Sequence, residues 1–260
     1  MKKLYKISLF AICYLLSASS FTQNLVPNFS FEDTVACPGT SEGYIHYATG
    51  WSTFGVSPDY FNSCNFADWS VPNNVFGYQN ASTGVAYAGI IAYDKGVPHT
   101  DKEYIGRSLS QNLTIGQKYF VSFKVSLPKK DTSIDNQNDC AVFACNKLGV
   151  LFSNSTYSEF NPPPENNFAH VYTDSIITDT TNWFTIAGSF VADSTYSNII
   201  LGIFFDNNNV DTLRLFKPNC DVFAYYFIDD VCVSSDSLTC VNPVSIIEPV
   251  IDNDSFNIYP

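Results

Sequence analysis

Apolar and polar residues alternate through most of the chain after residue 83, and this period of two constrains the fold more than any other feature. In QKYFVSFKVSL, at residues 117 to 127, Tyr119, Val121 and Phe123 share one face while Lys124 lies on the other. Successive side chains of a β-strand point to opposite faces. The pattern therefore predicts a half-buried antiparallel strand.

The same alternation predicts further strands, joined by polar turn-forming runs such as DNNNVDT and FNPPPENN. They lie near residues 85–92, 103–111, 142–153, 183–191, 198–205 and 223–234. No segment has a helical repeat, so the chain is expected to be all-β, an antiparallel β-sandwich. Residues 33–82 are rich in Gly, Ser, Asn and aromatic residues with little alternation, and we expect long ordered loops there.

The first 23 residues have the three parts of a secretory signal peptide. MKKLYK is cationic, ISLFAICYLL is apolar, and SASSFTQ is rich in small residues. The apolar part is too short to span a bilayer, which needs about 20 apolar residues. We therefore predict that residues 1–23 are removed and that the mature chain is secreted, to the extracellular space or the outer-membrane surface.

The mature chain is strongly acidic. Removing Lys2, Lys3 and Lys6 leaves 13 − 3 = 10 basic residues against 25 acidic ones, a net charge of −15. This charge argues against nucleic acid or an anionic membrane as a partner and favours a cationic ligand or a bound metal. Charged residues are 15% and aromatic residues 16% of the chain, so it can bury a sizeable core.

Seven cysteines remain after removal of residues 1–23, and in a secreted chain disulfides are the default. We predict two bonds: Cys37 with Cys64, and Cys140 with Cys145. The three cysteines that remain are Cys220, Cys232 and Cys240. One of them must stay free or pair between molecules, and their spacing leaves open which one.

Two stretches, read together, resemble a known family. NLVPNFSFED, at residues 24 to 33, is followed by the pair Gly50 and Trp51, and YYFIDDVCV stands at residues 225 to 233. This combination resembles the galactose-binding-like jelly rolls, to which many carbohydrate-binding modules belong. The resemblance covers residues 24–235 and implies that the sandwich is of jelly-roll type.

A second resemblance concerns secretion and the C-terminal end. SPDYFNSC and VPNNVFGYQNASTGVAYAGI resemble parts of secreted proteins from bacteria that use the type IX secretion pathway. The composition of residues 236–254 is typical of a linker, and SFNIYP at 255–260 resembles the opening of a type IX C-terminal sorting domain. Because such a domain normally continues, the match implies a truncated chain; the alternative is an accidental match.

The jelly-roll resemblance implies a structural calcium ion. In that family an acid of the N-terminal motif meets an Asp of the last strand, and the matching positions are Glu32 and Asp229, with Asp230 as the alternative ligand. Calcium takes about six to eight oxygen ligands, which carboxylates and carbonyls supply. The alternative is that one Asp faces solvent and the other caps a turn, since adjacent strand residues point to opposite faces.

Aromatic residues in the predicted loops are candidates for glycan binding: Trp51, Tyr60, Trp69 and Tyr78. The apolar face of a sugar stacks on a flat ring while nearby amides bind its hydroxyl groups. The alternative is that these rings are buried in the core. We therefore predict a non-catalytic carbohydrate-binding or cell-surface adhesion module, with a glycan or cell-surface polysaccharide as its partner and an oligomeric state left open.

An enzyme is the competing interpretation. The sequence has no GxSxG, HExxH, P-loop or dinucleotide motif, and its three histidines are scattered. We predict no catalytic residue. A polysaccharide hydrolase with a carboxylate pair stays open, because its two acids need only meet in space, about 5 to 10 Å apart. A purely structural surface domain is the third alternative.

Overall fold

A computed structural model describes residues 23–95, 101–129, 141, 143–158, 160–215 and 223–240. The apolar part of the predicted signal peptide, the sorting-domain match and most of the predicted linker lie outside the described residues. These three assignments therefore stay predictions.

The described residues form strands joined by loops and three short helical segments. The strands are β1 (Ser52–Thr53), β2 (Asp59–Asn62), β3 (Asn73–Asn74), β4 (Gly77–Tyr78), β5 (Ala86–Asp94), β6 (Ile105–Ser108), β7 (Lys118–Ser126), β8 (Phe143–Cys145), β9 (Gly149–Ser153), β10 (Val171–Tyr172), β11 (Phe184–Val191), β12 (Asn198–Gly202), β13 (Thr212–Arg214) and β14 (Phe223–Ser234). The helical segments are Tyr44–Tyr47, Asn207–Asn209 and α1 (Ser237–Cys240). Each strand region predicted from alternation contains an observed strand.

Two antiparallel sheets of five strands each build a sandwich of jelly-roll type within the described residues. The first has the order β1-β6-β12-β9-β10 and the second the order β11-β7-β14-β5-β2. The all-β prediction is confirmed. Residues 33–82 contain more structure than expected, because β2 is fully buried and pairs with β5, Asp59 opposite Gly89.

The main core lies between the two sheets. Ile105 and Leu201 from the first sheet and Ile90, Phe123 and Ile228 from the second are all fully buried there. Burying one such side chain contributes roughly 1.5–3 kcal/mol. The alternation that predicts the strands therefore also supplies the apolar faces that hold the sheets together.

A second apolar cluster covers part of the outer face of the second sheet. In it, Phe76, from the segment that follows β2, stacks on Tyr225 of β14 with ring centroids 3.6 Å apart. We call it the outer aromatic cluster; among its rings are Phe61, Trp69, Phe76, Tyr87, Tyr225 and Phe227, and the half-buried ring of Trp183 packs against it. The cluster leaves the outer face of β11 open, where Thr185, Ala187 and Ser189 are exposed.

The structure confirms one predicted disulfide and corrects another. Cys37 is bonded to Cys64, as predicted. The predicted bond between Cys140 and Cys145 is wrong, because β8 directs the Cys145 side chain into the core, where its thiol is free. Burial raises the pKa of this thiol to about 12. Cys140 lies outside the described residues.

A further disulfide extends the domain beyond its predicted boundary at residue 235. Cys240 of α1 is bonded to Cys232 of β14. The hydroxyl of Ser122 on β7 also donates a hydrogen bond to the carbonyl of Cys240 at 2.5 Å. The first residues of the predicted linker, up to Cys240, are therefore part of the folded domain.

Candidate functional site

An open cleft of about 500 Å³ lies between the segment after β4 and the turn before β11. Aromatic rings, amides and ammonium groups line it: Tyr78, Asn80, Lys124, Lys129, Asn182 and Trp183. Tyr78 is 43% exposed and Trp183 is half-buried. We call it the aromatic cleft.

A short hairpin of β3 and β4 places Tyr78 at one wall of the cleft. The side-chain oxygen of Asn74 accepts hydrogen bonds from the backbone N–H groups of Phe76 and Gly77 at 3.0 and 3.2 Å. Gly77 has a φ of +143°, and a Cβ there would lie 2.4 Å from the carbonyl oxygen of Lys129. Glycine thus lets the N–H of Tyr78 donate to that carbonyl at 3.0 Å.

The turn before β11 forms the opposite wall. The carboxylate of Asp179 accepts hydrogen bonds from the backbone N–H groups of Asn182 and Thr181 at 2.9 and 2.8 Å, and from the Asn182 amide at 3.0 Å. The bonds from Asn182, and then from Thr181, lower the pKa of Asp179. Trp183 Nε1 donates to the carbonyl of Asn80 at 2.9 Å, which ties the two walls together.

A second cleft, of about 380 Å³, continues from the first along the outer face of β7 and β14. Among the residues that line it are Phe29, Thr83, Ser122, Lys124, Asp230 and Cys240. We call it the disulfide groove. Lys124 lines both clefts, whereas Ser82 lines the first and Thr83 the second.

Three of the four predicted glycan-binding aromatic residues are core residues. Trp51, Tyr60 and Trp69 are 2%, 0% and 6% exposed. Trp51 packs against Phe31 in the main core, and Trp69 belongs to the outer aromatic cluster. The binding prediction is therefore wrong for these three, because a buried ring cannot stack on a sugar. Tyr78 is the member of the set that the structure places on the surface.

The tandem acids Asp229 and Asp230 lie at a β-bulge in β14. Asp229 pairs with Lys124 and Cys232 pairs with Ser122. An advance of three residues along β14 therefore lies opposite an advance of two residues along β7, so β14 contains one extra residue. Asp230 has a φ of +51°, in the left-handed region that Asp tolerates better than most residues. The bulge lets both carboxylates reach the same loop, where a regular strand would direct them to opposite faces.

Both carboxylates bind residues 82 and 83. Asp229 is fully buried and accepts hydrogen bonds from the backbone N–H groups of Ser82 and Thr83 at 2.8 and 3.2 Å. Asp230 accepts from the hydroxyl groups of the same two residues, and Lys124 Nζ lies 3.0 Å from it. Burial, and then the charge of Asp230, raise the pKa of Asp229 well above its usual range, while the N–H donors act in the opposite direction.

Glu32 holds the other end of the same loop. Its carboxylate accepts hydrogen bonds from the backbone N–H groups of Val85 and Ala86 at 3.0 and 3.1 Å. Gly84, with a φ of +66°, makes room for it, since a Cβ there would lie 2.2 Å from the Glu32 carboxyl carbon. The three predicted metal ligands therefore converge on one loop, residues 82–86.

The three acids already have hydrogen-bond donors of the protein where a calcium ion would need their oxygens as ligands. The carboxylate oxygens of Glu32, Asp229 and Asp230 face N–H and O–H donors, and the ammonium of Lys124 lies beside Asp230. Within the described ranges, no group of three or more His, Cys, Asp or Glu side chains is arranged to hold a metal ion. The structure corrects the predicted geometry of the three acids; calcium binding itself stays a prediction from the resemblance.

Removal of divalent cations tests whether these protein donors take the place of calcium. A calcium ion at 100 times its Kd would add about 2.7 kcal/mol. That gain corresponds to a rise in Tm of roughly 5–10 °C for a domain of this size. Calorimetry in excess EDTA should show a much smaller shift, because the carboxylate oxygens already have Lys124 and the loop N–H groups as partners. A fall of several degrees that added calcium reverses would reinstate the calcium site.

Two further acids, Asp59 and Glu103, are buried away from both clefts. Asp59 accepts hydrogen bonds from the Tyr225 hydroxyl at 2.6 Å and from the Gly43 N–H at 2.9 Å. Glu103 accepts from the N–H and hydroxyl of Ser57, both at 3.1 Å. Burial raises the pKa of Asp59 to about 7, and burial together with the charge of Asp59 also raises that of Glu103. Because both are buried, they are not a carboxylate pair open to a polysaccharide.

Trp183, the second ring of the aromatic cleft, is not among the binding residues predicted from the sequence. Trp183 directly precedes β11, and Thr185, Ala187 and Ser189 follow on the same face of that strand. These three residues are polar or small, which marks the face as turned to solvent. A large aromatic ring at the start of this solvent-facing side of the strand was the signal that could have identified Trp183 as a surface residue.

No model of a known protein family matches the sequence, and no curated protein matches it. Among solved structures, the Stig cyclase Fisc from Fischerella sp. TAU has a TM-score of 0.46 at 12% identity, over 82% of this chain and 97% of that chain. The CBM22-1 xylan-binding domain of Paenibacillus barcinonensis Xyn10C has a TM-score of 0.39 at 14% identity, over 79% and 90%. The K1 cleaved adhesin domain of Lys-gingipain from Porphyromonas gingivalis W83 has a TM-score of 0.37 at 14% identity, over 80% and 96%. At these values the likeness carries no inference about function.

The helical segments of the described chain are all short. None of them combines the length and the apolar character that crossing a lipid bilayer requires.

Proposed function

We propose that this chain is a secreted, non-catalytic carbohydrate-binding module that binds a glycan in the aromatic cleft. The observation that carries the proposal is the meeting of Tyr78 and Trp183, from distant parts of the chain, beside Asn80 and Asn182. A pyranose ring can stack its C–H face on such rings while amide groups bind its hydroxyls. The cleft thus has both kinds of contact that sugar recognition needs.

The cleft is ordered before a ligand arrives, and this favours binding. Gly77 fixes the hairpin of Tyr78 against Lys129, Asp179 fixes the turn that carries the opposite wall, and Trp183 is bonded to Asn80. Side chains that are already held lose little conformational entropy on association. A glycan would therefore gain most of the contact energy of the two rings.

The residues that line the cleft support binding without turnover. The described lining residues of the aromatic cleft include no Asp or Glu. Glycoside hydrolysis usually needs two carboxyl groups about 5 to 10 Å apart on either side of the scissile bond. The buried acids Asp59 and Glu103 are out of reach of a polysaccharide. Secretion is supported by the two disulfides of the described chain, since such bonds persist in oxidising compartments.

The proposal is tested on an array of oligosaccharides, immobilised cello-, xylo- and mannohexaose among them, followed by calorimetry. Trp183→Ala and Tyr78→Ala are each expected to weaken binding about 30-fold, which corresponds to the roughly 2 kcal/mol of an aromatic hot spot. Tyr172→Ala is the matched control, because Tyr172 is 40% exposed but lies on β10 of the first sheet.

Three outcomes would count against this function. The first is a wild-type protein that binds no glycan on the array. The second is equal affinity in wild type and in both cleft variants, which would place the binding surface elsewhere. The third is release of shorter products from a bound oligosaccharide, which would make the chain a hydrolase.

A further inference from the structure

We propose that Asp229 and Asp230 are positioning residues for the aromatic cleft, which hold the loop of residues 80–83 and Lys124 in the arrangement that the glycan meets. The inference rests on the proposed function. In this arrangement, N–H, O–H and ammonium groups of the protein make the contacts with the two acids that the jelly-roll resemblance assigns to calcium.

The loop of residues 80–83 is the wall between the two clefts. Asn80 and Ser82 line the aromatic cleft, and Thr83 lines the disulfide groove. This loop lies outside every strand of the described structure. The backbone N–H groups of Ser82 and Thr83 donate to the buried carboxylate of Asp229 instead of to a neighbouring strand. The position of the wall therefore depends on that carboxylate.

Lys124 connects Asp230 to both clefts. Its Nζ lies 3.0 Å from the Asp230 carboxylate and donates a hydrogen bond to the hydroxyl oxygen of Ser82 at 2.8 Å. The Ser82 hydroxyl in turn donates to Asp230 at 2.8 Å, so the three groups close a triangle. The Lys124 side chain is 22% exposed and lines both clefts. Loss of the Asp230 charge would release this ammonium at the surface that meets the glycan.

The same loop also reaches the two aromatic rings. The carbonyl of Asn80 accepts the hydrogen bond of Trp183 Nε1, and the Asn80 side-chain amide donates to the Tyr78 hydroxyl at 3.3 Å. A displacement of Ser82 would carry Asn80 with it, since the two are separated by one residue. The tandem acids thus act on the rings through the loop, without touching the glycan themselves.

Asp230 is a better test position than Asp229. Replacing Asp229 would leave buried N–H groups without an acceptor, which destabilises the fold as a whole. Asn at position 230 keeps the size of the side chain and tolerates the left-handed backbone, so Asp230→Asn removes mainly the charge. Asp230→Glu restores the charge on a longer side chain.

The experiment measures affinity for the array oligosaccharides, together with amide hydrogen exchange. Asp230→Asn is expected to weaken binding about fivefold, the effect of one partly exposed ion pair. The amides of Ser82 and Thr83 should exchange about tenfold faster, because the loop opens more often. Asp230→Glu should restore part of the affinity and part of the protection of these amides from exchange. Asp174→Asn breaks the ion pair of Asp174 with Lys147, outside both clefts, and should change neither.

The outcomes separate this inference from the proposed function. Absence of glycan binding by the wild type overturns the proposed function. If the wild type binds and Asp230→Asn binds equally well, the positioning role is wrong while the proposed function stands. Weaker binding with unchanged exchange at Ser82 and Thr83 also overturns positioning, since Asp230 would then contact the glycan directly. Binding lost in EDTA and restored by calcium would overturn it as well.

Discussion

Replacing Trp51 with alanine is expected to remove a large part of the stability of the protein. The Trp51 side chain is 2% exposed, its ring lies 4.6 Å from that of Phe31, and the Arg107 guanidinium lies 5.4 Å from its centroid. Its Nε1 donates a hydrogen bond to the carbonyl of Asn28 at 2.9 Å. Truncation of a buried Trp costs about 3–5 kcal/mol, and the whole domain is stable by about 5–15 kcal/mol.

Thermal and denaturant unfolding measure this effect directly. Trp51→Ala should lower Tm by roughly 6–20 °C, from about 2–4 °C for each kcal/mol in a domain of this size. Trp51→Phe is the matched control, because it keeps a ring in the core and loses mainly the hydrogen bond, at about 1 kcal/mol. An unchanged Tm in Trp51→Ala together with lost glycan binding would show that Trp51 is a surface platform after all.

The stability of the protein is expected to fall as pH rises from about 4 to about 7, opposite to the usual effect of paired carboxylates. In the unfolded chain the pKa of an Asp is about 3.9, whereas burial raises the pKa of Asp59 to about 7 in the folded chain. Between these values the folded state keeps a proton that the unfolded state releases. The stabilisation is complete below the unfolded pKa and is lost as pH approaches the folded one.

The size of the effect follows from the separation of the two pKa values. Because the folded pKa lies well above the unfolded one, the effect on the unfolding free energy is on the order of a few kcal/mol. Glu103 acts in the same direction, since its pKa is raised as well, and Glu42 adds a smaller repulsion to Asp59. The proton is held in the core, where Tyr225 donates its hydrogen bond to Asp59.

Denaturant unfolding at several pH values between 4 and 8 tests this dependence. Asp59→Asn resembles the protonated acid and should flatten the fall in stability. Asp179→Asn is the control: its exposed carboxylate has a lowered pKa, so its contribution is lost only as pH drops below about 4. A wild type that is more stable at pH 7 than at pH 5, with Asp59→Asn unchanged in slope, would contradict the assignment.

The strands were predictable because their alternation is strict. In β7 the residues Tyr119, Val121, Phe123 and Val125 all enter the main core, as their spacing indicates. The approach of the N-terminal motif to the last strand was also predictable from the resemblance, and Leu25 N–H donates to the Val233 carbonyl at 2.7 Å. Both features follow from short patterns that the sequence displays directly.

The positions of the aromatic rings were not predictable, because they depend on contacts between distant segments. Trp69 lies in a predicted loop, yet its ring packs against Phe61 with centroids 5.5 Å apart on the outer face of the second sheet. The composition of a loop does not distinguish an aromatic ring that binds a ligand at the surface from one that is buried in the core. The Trp69 ring is part of the core because Phe76, which stacks on Tyr225, packs against it.

The geometry of the tandem acids was hidden for a different reason. A period of two assigns Asp229 and Asp230 to opposite faces, and the bulge that overrides this assignment inserts one residue into β14. A bulge depends on the register with the neighbouring strand, which one strand alone does not specify. The pairing of Cys232 with Cys240 was also open, because it depends on α1 folding back onto β14.

The attachment of both ends of the domain to β14 has a mechanical consequence. The chain enters beside Val233, through the Leu25 hydrogen bond, and leaves at Cys240, which is covalently joined to Cys232. Tension applied to the two ends, as on a tethered protein in flow, would pass across this short path of neighbouring residues. The rest of the sandwich, with the aromatic cleft, would initially carry little of this load, so its strands would stay paired while the chain is pulled.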